Sequence, residues 1–131
     1  MASESTPDLE AITRERGGQA YIITVSEQGA PHAVYVPVRW DRDGVVADVG
    51  AGTAANATAR PRVSLLYPVR APGDYSLIVD GQASLEPGAG RQVRVKPTKI
   101  VLHRPGPPPD PASACGADCV PIAVPLSIGR G

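Results

Sequence analysis

Short runs of branched and aromatic residues, each ended by glycine or proline, recur along the middle of this 131-residue chain. Residues 20–26 are rich in side chains that suit a pleated strand, and residues 32–40 alternate strictly between two faces. One face of the second run carries Val34, Val36, Val38 and Trp40. Six such strands and one short helix fit within residues 18–104. Strands at this close spacing favour a closed barrel over a parallel α/β sheet.

Glycine and proline also predict where single strands are interrupted. Pro37 cannot donate to a strand ladder, so the second strand should lie at an edge or carry a bulge at this residue. Gly81 interrupts the long fifth strand over residues 75–85, and Pro97 splits the sixth strand into two parts.

One alanine-rich segment, residues 53–59, predicts about two helical turns. Thr53 fits the N-cap of this helix, because a threonine hydroxyl can accept a hydrogen bond from a free backbone amide. The helix should end at Arg60, since the residue before a proline disfavours helical backbone and Pro61 follows.

Composition divides the chain into three parts. Residues 18–104 form the predicted barrel domain, and residues 1–17 are a mostly polar leader that is either a short helix or partly ordered. Residues 105–131 hold seven prolines and four glycines, which favours disorder. An extended segment with one apolar face could instead pack on the barrel or on a partner subunit. Such a face is formed in the tail by Val120, Ile122, Val124, Leu126 and Ile128.

Charge and hydropathy exclude several classes of partner. The chain has 13 basic and 13 acidic residues, whereas nucleic-acid binders usually carry a basic excess that neutralises phosphates. No run of apolar residues is long enough for a membrane-spanning helix. The N-terminus is polar and acidic, unlike a signal peptide. We therefore expect a cytoplasmic protein with no nucleic-acid or membrane partner.

Few side chains could carry chemistry by themselves. Cys115 and Cys119 are separated by three residues, and they are inert thiols, a disulfide or redox pair, or half of a zinc site. Both histidines are distant from them in sequence, so we expect no metal centre. His103 ends the last strand and is a weak catalytic candidate, because histidine titrates near neutral pH. A structural or surface histidine is the alternative.

Three segments share their order and spacing with one known family. Residues 21–32 contain Tyr-Ile-Ile-Thr-Val-Ser-Glu-Gln-Gly followed by Pro-His, residues 56–66 contain an asparagine before an Arg-Pro stop, and residues 75–83 end in a Gly-x-Ala step. Together they resemble the pyridoxamine 5′-phosphate oxidase-like (flavin-binding split-barrel) family over roughly residues 18–104. The resemblance implies a mainly β, six-stranded split β-barrel with one or two short helices, usually a homodimer. It also implies a flavin mononucleotide (FMN) or deazaflavin (F420) cofactor at the subunit interface and oxidoreductase activity on a small molecule.

The resemblance further indicates where such a cofactor would bind. In this family the phosphate lies near the loop and helix after the third strand, and backbone groups of the second and third strands face the ring. Thr53 stands where many members have lysine or arginine, so the phosphate would be held by this hydroxyl, by free helix amides and by Arg60 or Arg62. The positions in this chain that match the cofactor site are Val36, Val38, Asp48, Gly50, Gly52, Thr53, Asn56 and Arg60.

The residues leave three functions open. The first is a flavin- or deazaflavin-dependent oxidoreductase. The second is a non-catalytic protein that binds or stores a cofactor or another small anion, which the missing cation at position 53 favours. The third is a cofactor-free dimer whose tail clasps the partner. Plainer roles are the alternative at single positions: Val36 and Val38 are then ordinary core residues, and Thr53 only caps the helix.

Overall fold

The computed structural model describes residues 9–41, 43–87, 91–105 and 117–124 of the chain. These residues form two helices and seven strands. The helices are α1 (Leu9–Glu15) and α2 (Ala51–Ala59), and the strands are β1 (Gln19–Val25), β2 (Pro31–Asp41), β3 (Gly44–Asp48), β4 (Arg62–Tyr67), β5 (Ser76–Leu85), β6 (Gln92–Pro105) and β7 (Ala117–Ile122). The mainly β class predicted from the sequence is confirmed.

Six of the strands close into an antiparallel barrel. The hydrogen-bonded order is β3-β2-β1-β4-β5-β6, and a further pairing between β3 and β6 joins the two ends of this sheet. β7 is an additional strand that pairs with the last part of β6, beyond the part that pairs with β3. Helix α1 leads into the start of β1. Side chains of Asn56 in α2 and of Arg60 directly after it donate hydrogen bonds to Thr24 and Val25, at the end of β1. The two helices therefore lie at opposite ends of β1.

Branched and aromatic side chains from alternate strand positions fill the barrel interior. In β2, Val36, Val38 and Trp40 are buried and the residues between them are exposed, as the alternation predicts. Pro37 lies at a partial edge, because β2 pairs with β1 up to this residue and with β3 only from Val38 onward. No ladder hydrogen bond on the β3 side therefore needs the N–H that proline lacks.

Helix α2 begins two residues earlier than the sequence predicts. Its N-cap is Gly50, whose extended backbone leads into Ala51, and no side chain caps the free amides. The prediction that Thr53 is the N-cap is therefore wrong, since Thr53 lies inside the helix with its side chain buried. The helix ends as predicted: Ala59 is its last residue, and Arg60, which precedes Pro61, is its C-cap.

The predicted split at Pro97 is wrong, because β6 continues through this residue as one strand. The irregularity is a bulge instead. Gly81 of β5 pairs with Pro97 and Asp80 pairs with Lys99, so that Thr98 is an extra residue in β6. A bulge tolerates proline because it leaves one backbone position outside the regular ladder.

The structure also describes parts of the leader and of the tail. Leu9 of α1 is in the core, and Ile12 packs against it. The alternating tail is a strand as far as Ile122, and Val124 still packs against the core. Among helices in the described ranges, none has the length and apolar character that crossing a bilayer requires. The predictions that fall outside the described residues concern 1–8, Cys115, Leu126 and Ile128.

Arg94 connects two acidic side chains on the barrel surface. Its Nη1 lies 2.7 Å from Asp41 Oδ1, and its Nε lies 2.7 Å from Glu86 Oε1. The hydrogen bond from Arg94 is the largest influence on Asp41, and it holds the pKa of that carboxyl below its ordinary value of 3.8. The ion pair between Arg94 and Asp41 should therefore stabilise the fold only while Asp41 is ionised.

We expect Arg94→Met to lower the free energy of unfolding by about 1–2 kcal/mol at neutral pH, because two charge-assisted bonds are lost at a partly exposed site. The Asp41 part of this deficit is present above pH 3.8 and disappears as the pH falls through the lower pKa of the folded state. Urea unfolding at neutral and at acidic pH measures both effects.

Arg39→Met is the matched control for Arg94→Met. The Arg39 nitrogen lies 3.7 Å from Asp41 and its side chain is 60% exposed, so the loss should stay below about 0.5 kcal/mol. An Arg94→Met deficit that does not change between neutral and acidic pH would contradict the role given to Asp41.

Candidate functional site

An apolar row of side chains crosses the outer surface of the sheet. Strand register places Tyr35 of β2 opposite Tyr21 of β1, with their ring centroids 4.8 Å apart. The row continues in the same way across β4, β5, β6 and β7. The side chains of this row are exposed or half-buried. The apolar row consists of Tyr35, Tyr21, Leu66, Ile78, Val101 and Pro121.

Such a row is unusual on the outside of a barrel. Antiparallel strands with one face in a core normally carry polar side chains on the other face. Contiguous apolar surface on a folded protein marks a site where another molecule binds. The apolar row therefore points to contact with a partner or a ligand.

An open cavity of about 530 Å³ lies beside the apolar row, on the outer face of β1, β4 and β5. Ile23 and Val25 form an apolar part of its wall, and Arg62 supplies a positive charge. The Ser64 hydroxyl donates to Asp80 Oδ1 at 2.6 Å within the same wall. This sheet cavity combines apolar surface, one cation and several hydrogen-bonding groups, which suits a flat ring with an anionic substituent.

Two predicted site residues fix α2 beside the sheet cavity. Asn56 Nδ2 donates to Thr24 Oγ1 at 3.1 Å, and Arg60 Nε donates to the Val25 carbonyl oxygen at 2.7 Å. Thr24 is fully buried. Both side chains therefore hold the C-terminal half of α2 against the end of β1.

Three other predicted residues lie together where β3 leads into α2. Asp48 is exposed at the end of β3, and its Oδ1 accepts a hydrogen bond from Gln92 Nε2 at 2.6 Å. Gly50 and Gly52 are exposed at the start of α2, with open space where a side chain would lie. Thr53 is also at this start, but its side chain is buried beneath the helix.

The remaining candidates lie elsewhere. Val36 and Val38 are buried in the barrel core, with their side chains among other core residues. His103 lies in β6 near the other end of the sheet, opposite Cys119 of β7, and its carbonyl oxygen accepts a hydrogen bond from the Ser76 hydroxyl. The structure thus brings together the residues around α2 and separates them from the valines and from His103.

Sequence reasoning named Arg62 as an alternative partner for a cofactor phosphate, but it did not find the other residues that line the sheet cavity. Alternation could have placed Arg62, Ser64 and Asp80 on outer faces, because each flanks a buried neighbour in its strand. Nothing in the sequence shows that β1, β4 and β5 are adjacent, which is what brings these side chains together.

Solved structures of similar fold include two proteins whose names refer to heme. One is HutZ, the heme storage protein from Vibrio cholerae, with a TM-score of 0.57, 20% identity, and coverage of 75% of this chain and 92% of that chain. The other is a heme binding protein from Mycobacterium smegmatis, with a TM-score of 0.61, 12% identity, and coverage of 92% of this chain and 60% of that chain. At these identities the likeness shows the fold alone, and that fold is the expected split barrel.

No family model matches the chain. Two curated proteins are each 36% identical to it over 122 residues, with coverage of 81% of this chain and 86% of the relative. They are the uncharacterized protein Mb0449c of Mycobacterium bovis and the uncharacterized protein MT0457 of Mycobacterium tuberculosis. With this identity over most of both lengths, the chain belongs to the same family as these two mycobacterial proteins.

Proposed function

We propose that the chain is a pyridoxamine 5′-phosphate oxidase-like split-barrel protein that binds a planar, anionic cofactor without turning over a substrate. The observation that carries this proposal is the sheet cavity beside the apolar row. Two structures of similar fold are described as heme storage and heme binding proteins, which supports cofactor binding more than catalysis.

A second copy of the chain is the proposed cover for the apolar row. Tyr21 and Tyr35 are large aromatic side chains, enriched in protein interfaces, and both remain exposed in the single chain. Since the row runs across most of the sheet, a partner barrel could bury it and close the open side of the sheet cavity. The cofactor would then lie between the two copies.

The lining of the sheet cavity fits a flavin in part. Ile23 and Val25 would contact an apolar ring, and Arg62 would pair with a phosphate or another anionic group. A bound flavin would supply hydride transfer. The Asp80 carboxylate, already bonded to Ser64, is the acidic group in the described lining, and His103 is not among the lining residues. This favours binding over acid–base catalysis.

Heme is the second candidate ligand, favoured by the two heme proteins of similar fold. Heme iron in proteins is held by histidine, cysteine, methionine or tyrosine. The described lining of the sheet cavity contains none of these residues, so its fit to heme is poorer than its fit to a flavin. Tyr21 and His103 are on the same outer face of the sheet but outside this lining.

Native mass spectrometry with absorption spectroscopy tests the ligand. The protein is incubated with FMN, F420 or heme, and a dimer that gains two cofactor masses supports the proposal.

Arg62→Met should weaken FMN or F420 binding about tenfold or more, because a charge-assisted bond is lost. Arg91→Met, a change at another exposed arginine, should leave the affinity unchanged. A Soret band with heme alone would favour the second candidate, and steady substrate reduction would establish an oxidoreductase instead.

The dimer has its own test. Tyr35 is 46% exposed and Val69, in the loop after β4, is 44% exposed, so the two positions are matched for exposure. We expect Tyr35→Asp to produce a monomer, because a buried charge in the interface has no partner, while Val69→Asp keeps the dimer. Light scattering during size-exclusion chromatography measures both masses. A dimer that persists in Tyr35→Asp would show that the apolar row is not the interface.

A further inference from the structure

The bulge in β6 places two lysines on the same face of the sheet. Side chains alternate along a regular strand, so positions 96 and 99 would normally point to opposite faces. Thr98, the extra residue of the bulge, resets this alternation. Pro97 and Ile100 point into the barrel, where both are fully buried. Lys96 and Lys99 therefore share the outer face.

Strand register puts these two lysines at the border of the sheet cavity. Lys96 is directly opposite Gln82 of β5, and Lys99 is directly opposite Asp80 of the same strand. Gln82 and Asp80 both line the sheet cavity. Arg62, also in this lining, lies opposite Gln82 on the other side, in β4. The sheet cavity therefore has one cation on its β4 side and two cations on its β6 side.

The three cations outnumber the acidic groups of the sheet cavity. Within the described residues, the side chains of Arg62, Lys96 and Lys99 form no ion pair and no hydrogen bond. Asp80 is the acidic residue of the described lining, and its Oδ1 already accepts a hydrogen bond from the Ser64 hydroxyl at 2.6 Å. One carboxylate can offset only one of the three positive charges.

Acidic side chains farther along the surface do not remove this excess. Asp41 and Glu86 are each held by Arg94 at 2.7 Å. Asp43 lies in the turn before β3, and in the described structure it forms no ion pair with Lys96. The positive charge at the sheet cavity is therefore available to a ligand.

The positions of the cations suit two linked phosphates better than one. Arg62 and Lys96 are two strands apart, which separates their Cα atoms by about 10 Å with Gln82 between them. A single phosphate would contact the cations on one side of β5 only. Two linked phosphates would extend from Arg62 to the lysines, and each would accept charge-assisted hydrogen bonds. The Gln82 amide can donate a further bond from below.

We propose that the sheet cavity takes a ligand with a diphosphate group, which lies across β5 between Arg62 and the two lysines. The ring of the same ligand lies on the apolar part of the cavity wall. This inference rests on the proposed function, because it names the chemical class of the ligand in the same cavity. It assigns Lys96 and Lys99 to the second of the two phosphates.

Both lysines can be followed directly, because Lys96 and Lys99 are the only lysines in the chain. Reductive methylation with ¹³C-formaldehyde labels these two side chains and the terminal amine, and it preserves their positive charge. We expect both lysine signals in NMR spectra to shift saturably with inorganic pyrophosphate, at concentrations about tenfold lower than inorganic phosphate requires. The signal of the terminal amine should not move.

Calorimetry on unmethylated variants measures the contribution of each cation. Lys96→Met, Lys99→Met and Arg62→Met should each weaken pyrophosphate binding about fivefold or more, because each removes one charged donor. All three side chains are exposed or half-buried, so the variants should fold. Arg91→Met, at an exposed arginine just before β6, is the control and should bind as the unchanged protein does. Equal losses in Arg91→Met and Lys96→Met would show unspecific attraction of anions and overturn the proposal.

A comparison of two flavins separates this inference from the proposed function. Flavin adenine dinucleotide (FAD) has the ring of FMN with a diphosphate in place of the single phosphate. FAD should bind more tightly than FMN, and the difference should disappear when Lys96 and Lys99 are both replaced by methionine. Equal affinity for FMN and FAD, with lysine signals that pyrophosphate does not move, would overturn the diphosphate site and leave the proposed function intact. Pyrophosphate binding that depends on the lysines, without binding of any flavin or heme, would support the diphosphate site and contradict the proposed function.

Discussion

The Gly81→Ala protein should fold poorly or unfold at a temperature about 10 °C or more below that of the unchanged protein. A Cβ atom at Gly81 would overlap the Lys96 carbonyl oxygen, and would lie 2.8 Å from Val95 Cγ1 and 3.0 Å from the Lys96 carbonyl carbon. Two of these contacts are with backbone of β6, which a closed barrel holds in place. We expect a loss of about 3 kcal/mol or more, measured by thermal and urea unfolding.

Gly52→Ala is the matched control, because it adds the same methyl group where nothing lies within 4 Å. Gly52 is inside α2, where alanine is favoured over glycine, so this change should raise stability by about 0.5–1 kcal/mol. If the two alanine variants unfolded at the same midpoint, β5 and β6 could not be as close at Gly81 as the structure shows.

The sequence predicts those features that depend on neighbours along the chain. The alternation in β2 identifies Val36, Val38 and Trp40 as one buried face, since side chains in a strand point to opposite sides in turn. Gly81 was predicted as an interruption of its strand, and it is where the register with β6 shifts. The predicted start of α2 at Thr53 is wrong, because Gly50 serves as the N-cap without a side-chain hydrogen bond and the helix begins at Ala51.

The candidate sites depend on neighbours across strands, which the sequence does not give. Tyr21 and Leu66 are both outward-facing by alternation, but only the pairing of β1 with β4 makes them adjacent. Thr13 of α1 and Tyr67 of β4 likewise lie side by side in the structure, although they are far apart in the chain. The two valines assigned to the cofactor site through the resemblance lie in the core, where their own alternation already placed them.

Replacing Leu65 with alanine should lower the free energy of unfolding by about 2–5 kcal/mol, a large share of the total for a domain of this size. Leu65 of β4 is 0% exposed and lies between Ile22 of β1 and Val79 of β5, both fully buried, so the vacated space cannot be filled easily. Leu85→Ala, at a residue of β5 that is 48% exposed, should cost less than about 0.5 kcal/mol. Urea unfolding with an unchanged slope measures both losses. Equal losses would mean that β1, β4 and β5 do not enclose a packed interior, and the closed barrel itself would then be in question.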